Sequence, residues 1–166
     1  MKTILQSFRV LLVLTALTGI AYPLVVTGIA RIAFHHDHSA LLAQKTESPR
    51  YFWPRPSAGD YATVPSGASN KGPTRADLAK AIAERREKFG KDAPDEMLTA
   101  SGSGLDPHLS PAAAKYQAPR IAAERKWSVE NVNALIDELT EGPQLGFFGE
   151  PRVNVLTLNR ALDAAK

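Results

Sequence analysis

A run of 21 residues without a charge, Val10 to Ala30 (VLLVLTALTGIAYPLVVTGIA), interrupts an otherwise mixed pattern of apolar and polar positions. As a helix it would be roughly 30 Å long, the thickness of a bilayer's hydrocarbon core, and it predicts one transmembrane helix over residues 10–30. The run is longer than the apolar part of a typical signal peptide. Its nearest approach to a cleavage site is Gly28-Ile29-Ala30, so an uncleaved anchor is expected over a removed leader. Lys2, Arg9 and the N-terminal amine precede it, which by the positive-inside bias places residues 1–9 in the cytoplasm and the bulk of the chain outside. Gly19, Tyr22, Pro23 and Gly28 lie inside the run. Glycine permits close helix approach, and proline frees a carbonyl that a neighbouring helix can satisfy. Both residues are also common in membrane helices at large, so the pattern fits a span with or without a partner helix.

After the run the spacing of apolar positions changes. Residues 31–50 read as a linker and residues 51–166 as one domain. The density of Pro, Gly, Ser and Asn from Tyr51 to Pro73 excludes a long helix and predicts turns with at most one short strand. Tyr51, Phe52 and Trp53 are expected to anchor this stretch by packing. Thr74, with Asp77 three residues on, predicts a capped helix start. Leu78, Ala81, Ile82, Arg85 and Phe89 follow at helical spacing, Glu84 to Lys88 form the solvated face, and Gly90 closes the helix. Ser110-Pro111 predicts a second helix running through Arg125, with Pro119 kinking or dividing it. Ser128 caps a third, with Val132, Leu135, Ile136 and Leu139 on one face and Gly142-Pro143 ending it. Val153 to Leu162 joins a β-like start to a helical finish. The fold class is therefore α+β: a single N-terminal transmembrane helix, then one mostly helical extracytoplasmic domain with long ordered loops.

Composition narrows the function classes. With 44% hydrophobic and 22% charged residues the chain is globular. Lys2 and Arg9 supply two of its +3 net charge; the remainder is near neutral and lacks a basic stripe interleaved with aromatics, so nucleic acid is not an expected partner. There is no cysteine, which removes disulfides, thiol catalysis and cysteine-based zinc sites. Neither a G-x-x-x-x-G-K-[ST] loop nor a strand-borne G-x-G-x-x-G occurs. The loop Thr99 to His108 (TASGSGLDPH) does bring Ser101, Ser103, Asp106 and His108 together in sequence, and an exported, membrane-anchored serine hydrolase is the alternative it supports. It departs from the G-x-S-x-G elbow, and the preferred reading is that glycine supplies unusual backbone angles while Ser and Asp close turns. His35-His36-Asp37-His38 concentrates metal-ligand types, but adjacent side chains cannot easily face one ion, so a polar collar is expected and no metal. A third reading, a binding module freed by signal cleavage, requires loss of the N-terminus.

One further pattern extends over nearly the whole chain. It comprises Gly19-Ile20-Ala21-Tyr22-Pro23-Leu24, Tyr51-Phe52 with Arg55-Pro56-Ser57-Ala58, and Ser66 to Pro73 (SGASNKGP). It continues with Thr99 to Pro107 (TASGSGLDP), Ser110-Pro111, Gln117 with Arg120-Ile121-Ala122 and Arg125, then Gly149 to Leu156 (GEPRVNVL) with Leu158-Asn159. In this order and spacing the chain resembles the C subunit of the Kdp potassium-transporting P-type ATPases (KdpC). It departs where that family has S-x-L-I-G-Q-x-F: here Ser39 to Thr46 (SALLAQKT) carries Ala for Gly and Thr for Phe, and the segment between span and motif is missing.

The resemblance implies a single-pass protein of the bacterial inner membrane. It implies three partners: a channel-like potassium-binding subunit, a P-type ATPase subunit and a small fourth subunit. ATP hydrolysis and potassium translocation would belong to those partners, with no cofactor bound here and no catalytic residue. The family role is that of a catalytic chaperone that raises the ATP affinity of the ATPase subunit. A domain outside the membrane, where cytosolic ATP is absent, favours assembly, stabilisation and gating over direct nucleotide contact. Gly19, Tyr22 and Pro23 would then pack against a partner's membrane helices. Ser57, Ser69, Asn70, Ser101, Ser103 and Asp106 would meet a partner or hold their own loops in shape.

Overall fold

The computed structural model describes residues 2–33 and 38–165, which fall into two units, one within the first 37 residues and one from His38 onward. The first is helix α1 (Lys2–Ala16), a five-residue π-turn (Leu17–Ala21) and helix α2 (Tyr22–Ala33). They form one continuous apolar helix of 32 residues, longer than the uncharged run at both ends, with a stretch of mean hydropathy 2.1. The π-turn has a local cause. Pro23 has no N–H to return to the carbonyl four residues back, and its ring would strike that carbonyl. One residue earlier, the Tyr22 N–H donates to the Leu17 carbonyl, five residues back, widening the turn just where the proline enters.

The second unit is a mostly helical domain around a three-stranded antiparallel sheet, order β1-β3-β2: β1 (His108–Leu109), β2 (Thr140–Glu141) and β3 (Arg152–Asn154). The register pairs Leu109 with Val153 on one side and Thr140 with Val153 on the other. Its helices are α3 (Ala76–Phe89), α4 (Asp95–Leu98), α5 (Pro111–Arg125), α6 (Val129–Glu138) and α7 (Val155–Ala164). The α+β class with a single candidate span thus holds. The short strand allowed within residues 51–73 is not found there.

Helices α5 and α6 form the centre. The buried face of α5 is Ala113, Ala114, Gln117, Ala118, Ile121 and Ala122. These recur every three to four residues and are mostly small, which brings α6 close through Val132 and Ile136. Phe52, Met97, Leu109, Val153, Val155, Leu158 and Leu162 complete the core. The Ser110 Oγ accepts from Ala113 N at 3.1 Å and Ser128 Oγ from Asn131 N at 3.1 Å, so both serine caps form as expected. Pro119 neither divides α5 nor ends it: it lies on the exposed side, where the lost N–H costs no buried partner.

One expectation fails at α3. Arg75, not Thr74, occupies the cap position, no side chain caps the helix, and Arg75 Nη2 instead pairs with Asp77 Oδ2 at 2.9 Å. The helix buries none of its residues fully, but the half-buried ones are Leu78, Ala81, Ile82, Arg85 and Phe89, the face the spacing predicts, and Phe89 reaches the core, tilted against Trp53 with centroids 5.6 Å apart.

The irregular segment 49–53 is held by side chains of α5 and α7 in place of a neighbouring strand. Asn159 Oδ1 accepts from Phe52 N at 2.8 Å and its Nδ2 donates to Phe52 O at 3.0 Å. Gln117 repeats the arrangement one residue on, accepting from Trp53 N at 2.9 Å and donating to Trp53 O at 3.0 Å. Arg120 donates to the carbonyls of Pro49 and Tyr51 and lies 3.9 Å above the Trp53 ring; burial lowers its pKa to about 10. Arg125 donates to Arg50 O at 2.9 Å and to Asp163 Oδ1 at 2.7 Å, which, with Tyr51 Oη, holds that carboxyl below its usual range. Phe52, which these groups position, is fully buried, as its reading as a packing anchor required.

Candidate functional site

The two serine- and glycine-rich loops come together. At Gly104 φ is +73°, and a Cβ built there would lie 2.9 Å from the Gly67 carbonyl oxygen and 3.4 Å from Ser57 Oγ. The first loop therefore crosses the second through a gap that only glycine leaves open. Ser101 is buried and ties the second loop to the segment before the first: its N–H donates to Pro56 O at 2.9 Å. Residue Ala43, standing at the glycine of the altered motif, is buried and donates its N–H to Leu105 O at 2.9 Å, so the chain entering the domain docks on the same loop. Gly104→Ala is expected to destabilise the domain by about 1–3 kcal/mol from backbone strain, before the clash is added. Gly102→Ala is the control, because a Cβ there meets nothing within 4 Å. Equal thermal midpoints for the two variants would refute the crossing.

Each candidate loop residue has a definable place. Ser57 Oγ accepts from Gly59 N at 3.2 Å and Tyr61 N at 2.9 Å, closing its own turn. Ser69 is half-buried, and Asn70 is exposed in the left-handed region at φ +52°. Exposed Ser103 accepts from Leu105 N at 3.1 Å through its Oγ. Asp106 accepts from His108 N at 3.0 Å and from Arg55 Nη1 at 3.3 Å, with His108 Nδ1 3.5 Å from the same carboxylate. The loop thus assembles a carboxylate–histidine pair, but among the described residues neither serine hydroxyl bonds to His108. Among the described residues Ser101 Oγ is buried without a partner, and Ser103 is turned to its own loop. A nucleophile engaged with its base is the first geometric requirement of a triad, and this loop does not present one.

Sequence reasoning named Arg55 only within the family pattern and missed that its guanidinium pins Asp106, because the two lie 51 residues apart. It also missed a cleft of about 240 Å³ lined by Lys45, Trp53, Asp60, Tyr61, Arg85 and Lys88. Its charged groups already have partners. Lys45 Nζ pairs with Asp60 Oδ2 at 2.8 Å, a bond that raises the lysine's pKa, and Arg85 Nη1 donates to Leu98 O at 2.6 Å. Lys88 Nζ lies 5.3 Å from the centre of the Trp53 ring. Residues 34–37, which include most of the His35–His38 cluster, lie outside the described residues.

In the apolar helix Gly19 is in the π-turn, and Tyr22 and Pro23 open α2. Tyr22 is 66% exposed, and a Cβ at Gly19 or Gly28 would meet nothing within 4 Å. The three candidate interface residues are therefore all exposed, and Gly19 is a bare position that suits a closely approaching helix.

A family model described as KdpC, the K+-transporting ATPase c chain, matches residues 4–164. The chain is 46% identical to the potassium-transporting ATPase KdpC subunit of Sorangium cellulosum (strain So ce56) over 179 residues, covering 94% of each chain. To the subunit of the same name from Dechloromonas aromatica (strain RCB) it is 43% identical over 188 residues, covering 99% of this chain and 98% of that one. With that of Paraburkholderia phytofirmans (strain DSM 17436 / LMG 22146 / PsJN) the figure is 42% over 190 residues, with 100% of this chain and 99% of the relative covered. That alignment is longer than the 166 residues of this chain by roughly two dozen positions, so this chain is the shorter of the two.

Proposed function

Since the chain belongs to the KdpC family of K+-transporting ATPase c chains, we propose that it acts as a membrane-anchored, non-catalytic accessory subunit of the potassium-transporting complex. The observation that carries this reading is the 32-residue apolar helix, whose large side chains are 45–86% exposed, joined to a domain with its own core. A surface of that extent is unfavourable in water and is covered by lipid and by neighbouring helices. In this reading the helix crosses the bacterial inner membrane once, with Lys2 and Arg9 on the cytoplasmic side and the domain outside. Its partners are the channel-like potassium-binding subunit, the P-type ATPase subunit and the small fourth subunit. Those subunits handle ATP and potassium, while this chain supports assembly and efficient ATP use. The self-closing turns at Ser57 and Ser103 favour loops that hold a shape over loops that perform chemistry.

The test is a mild-detergent pull-down of the tagged full-length chain from its own membranes, with mass spectrometry of what accompanies it. Recovery of a P-type ATPase and a potassium-binding subunit, abolished by removal of residues 1–30, is the expected result. A chain recovered alone, from membranes that contain that ATPase, would overturn the reading.

A further inference from the structure

The connection between β2 and β3 is a tight tip built on Gln144 to Phe148. Gln144 N donates to Phe148 O at 2.8 Å, Phe148 N to Gln144 O at 2.9 Å, and Gly146 N to Pro143 O at 3.1 Å. Glycine or proline flanks it on both sides, at Gly142, Pro143, Gly149 and Pro151. On this frame Leu145 is 84%, Phe147 71% and Phe148 56% exposed, the two rings lying 4.1 Å apart. Among the described residues of the domain no other turn exposes three large apolar side chains. Folding does not account for them. They touch none of the core, and Leu145 has φ +53°, a left-handed conformation that a glycine or asparagine would adopt at less cost.

We propose that this tip is a docking wedge, with Leu145, Phe147 and Phe148 entering an apolar pocket on another subunit of the potassium-transporting complex. The inference rests on the accessory-subunit reading and names the contact through which the domain itself engages. Three observations favour a protein pocket over a lipid surface. The tip is already folded by its own main-chain bonds, so little ordering entropy is lost on docking. Aromatic side chains, phenylalanine among them, are enriched at the cores of protein–protein contacts. The only charge from Gly142 to Pro151 is Glu150, and the nearest base, Arg152, is paired to Glu141 at 2.9 Å. A loop entering an anionic bilayer gains from unpaired Lys or Arg beside its apolar residues, and this one has an acid. The pocket's rim is accordingly expected to carry a Lys or Arg facing Glu150.

The test places a photo-crosslinking phenylalanine analogue at Phe147 in the full-length chain, expressed together with its partner subunits. The same analogue at Arg86, on the exposed face of α3, is the control. Irradiated membranes should give an adduct between position 147 and an identified subunit of the complex, about tenfold above the control. Co-purification of that subunit should fall by a similar factor in F147S/F148S, whose thermal unfolding is unchanged because both side chains are exposed. An adduct with lipid alone, or none above the control, in membranes where the wild-type chain still brings down its partners, overturns the wedge and leaves the accessory role standing. A wild-type chain that brings down nothing overturns both.

Discussion

Asn159→Leu should cost the domain about 2–6 kcal/mol, because it strands two buried main-chain groups at once. The native amide accepts from the Phe52 N–H at 2.8 Å and donates to the Phe52 carbonyl at 3.0 Å. Leucine nearly matches asparagine in size, so the site does not collapse and water is not readily admitted to either group. Each unpaired group then carries a desolvation penalty of about 1–3 kcal/mol. Since small domains are stable by only about 5–15 kcal/mol in total, the variant should stand near the edge of folding. Urea unfolding of the full-length chain in mild detergent, followed by tryptophan fluorescence, reads this directly, because Trp53 is the next residue along the clamped segment. A midpoint equal to that of the wild type would show that segment 49–53 is held by something other than this amide.

Phe52→Ala tests the other half of the same arrangement. Its side chain is fully buried against the core formed by α5, α6 and α7. Truncation of a buried phenylalanine costs about 3–5 kcal/mol through lost burial and an unfilled cavity. The two substitutions act on one residue's side chain and backbone, so their effects should fall short of additive when combined. Fully additive losses would mean that the ring and the amide stabilise the segment independently.

Much of the helical part could be read from the chain because its signals are local. Ser110-Pro111 and Ser128 announce α5 and α6 through bonds spanning three residues, and those bonds form. Where a local signal competed with another it failed: Thr74 lost the cap position to Arg75, which pairs with Asp77 instead. The helical spacing of Leu78, Ile82 and Phe89 was real, yet α3 lies at the edge of the domain and covers little. β1 and β2 were hidden because two residues are too few to show a period, whereas β3 and α7 stand where the β-like start and helical finish were read from Val153 to Leu162. The clamps on Phe52 and Trp53 join residues 107 and 64 positions apart, and nothing in either stretch alone names its partner. At the loops, glycine marked a special backbone position correctly at Gly104, but not that Gly67 would be the neighbour demanding it. The apolar tip at Leu145 to Phe148 was written plainly as LGFF between glycines and prolines. It passed unremarked because apolar residues in a connection have no period to betray them.

The π-turn at Leu17–Ala21 is an insertion of one residue into the winding of the apolar helix. An ordinary helix advances about 100° per residue, so everything after Tyr22 is turned by roughly that angle from where an unbroken α-helix would carry it. Gly28 and the rest of α2 therefore face a different compass direction from the one that counting from α1 would assign. Deleting a single residue from 17–21 would restore the regular winding and swing α2's outer surface through about a quarter-turn, with every side chain on it unchanged. The length of that turn, as much as its composition, is what aligns the two halves of the helix.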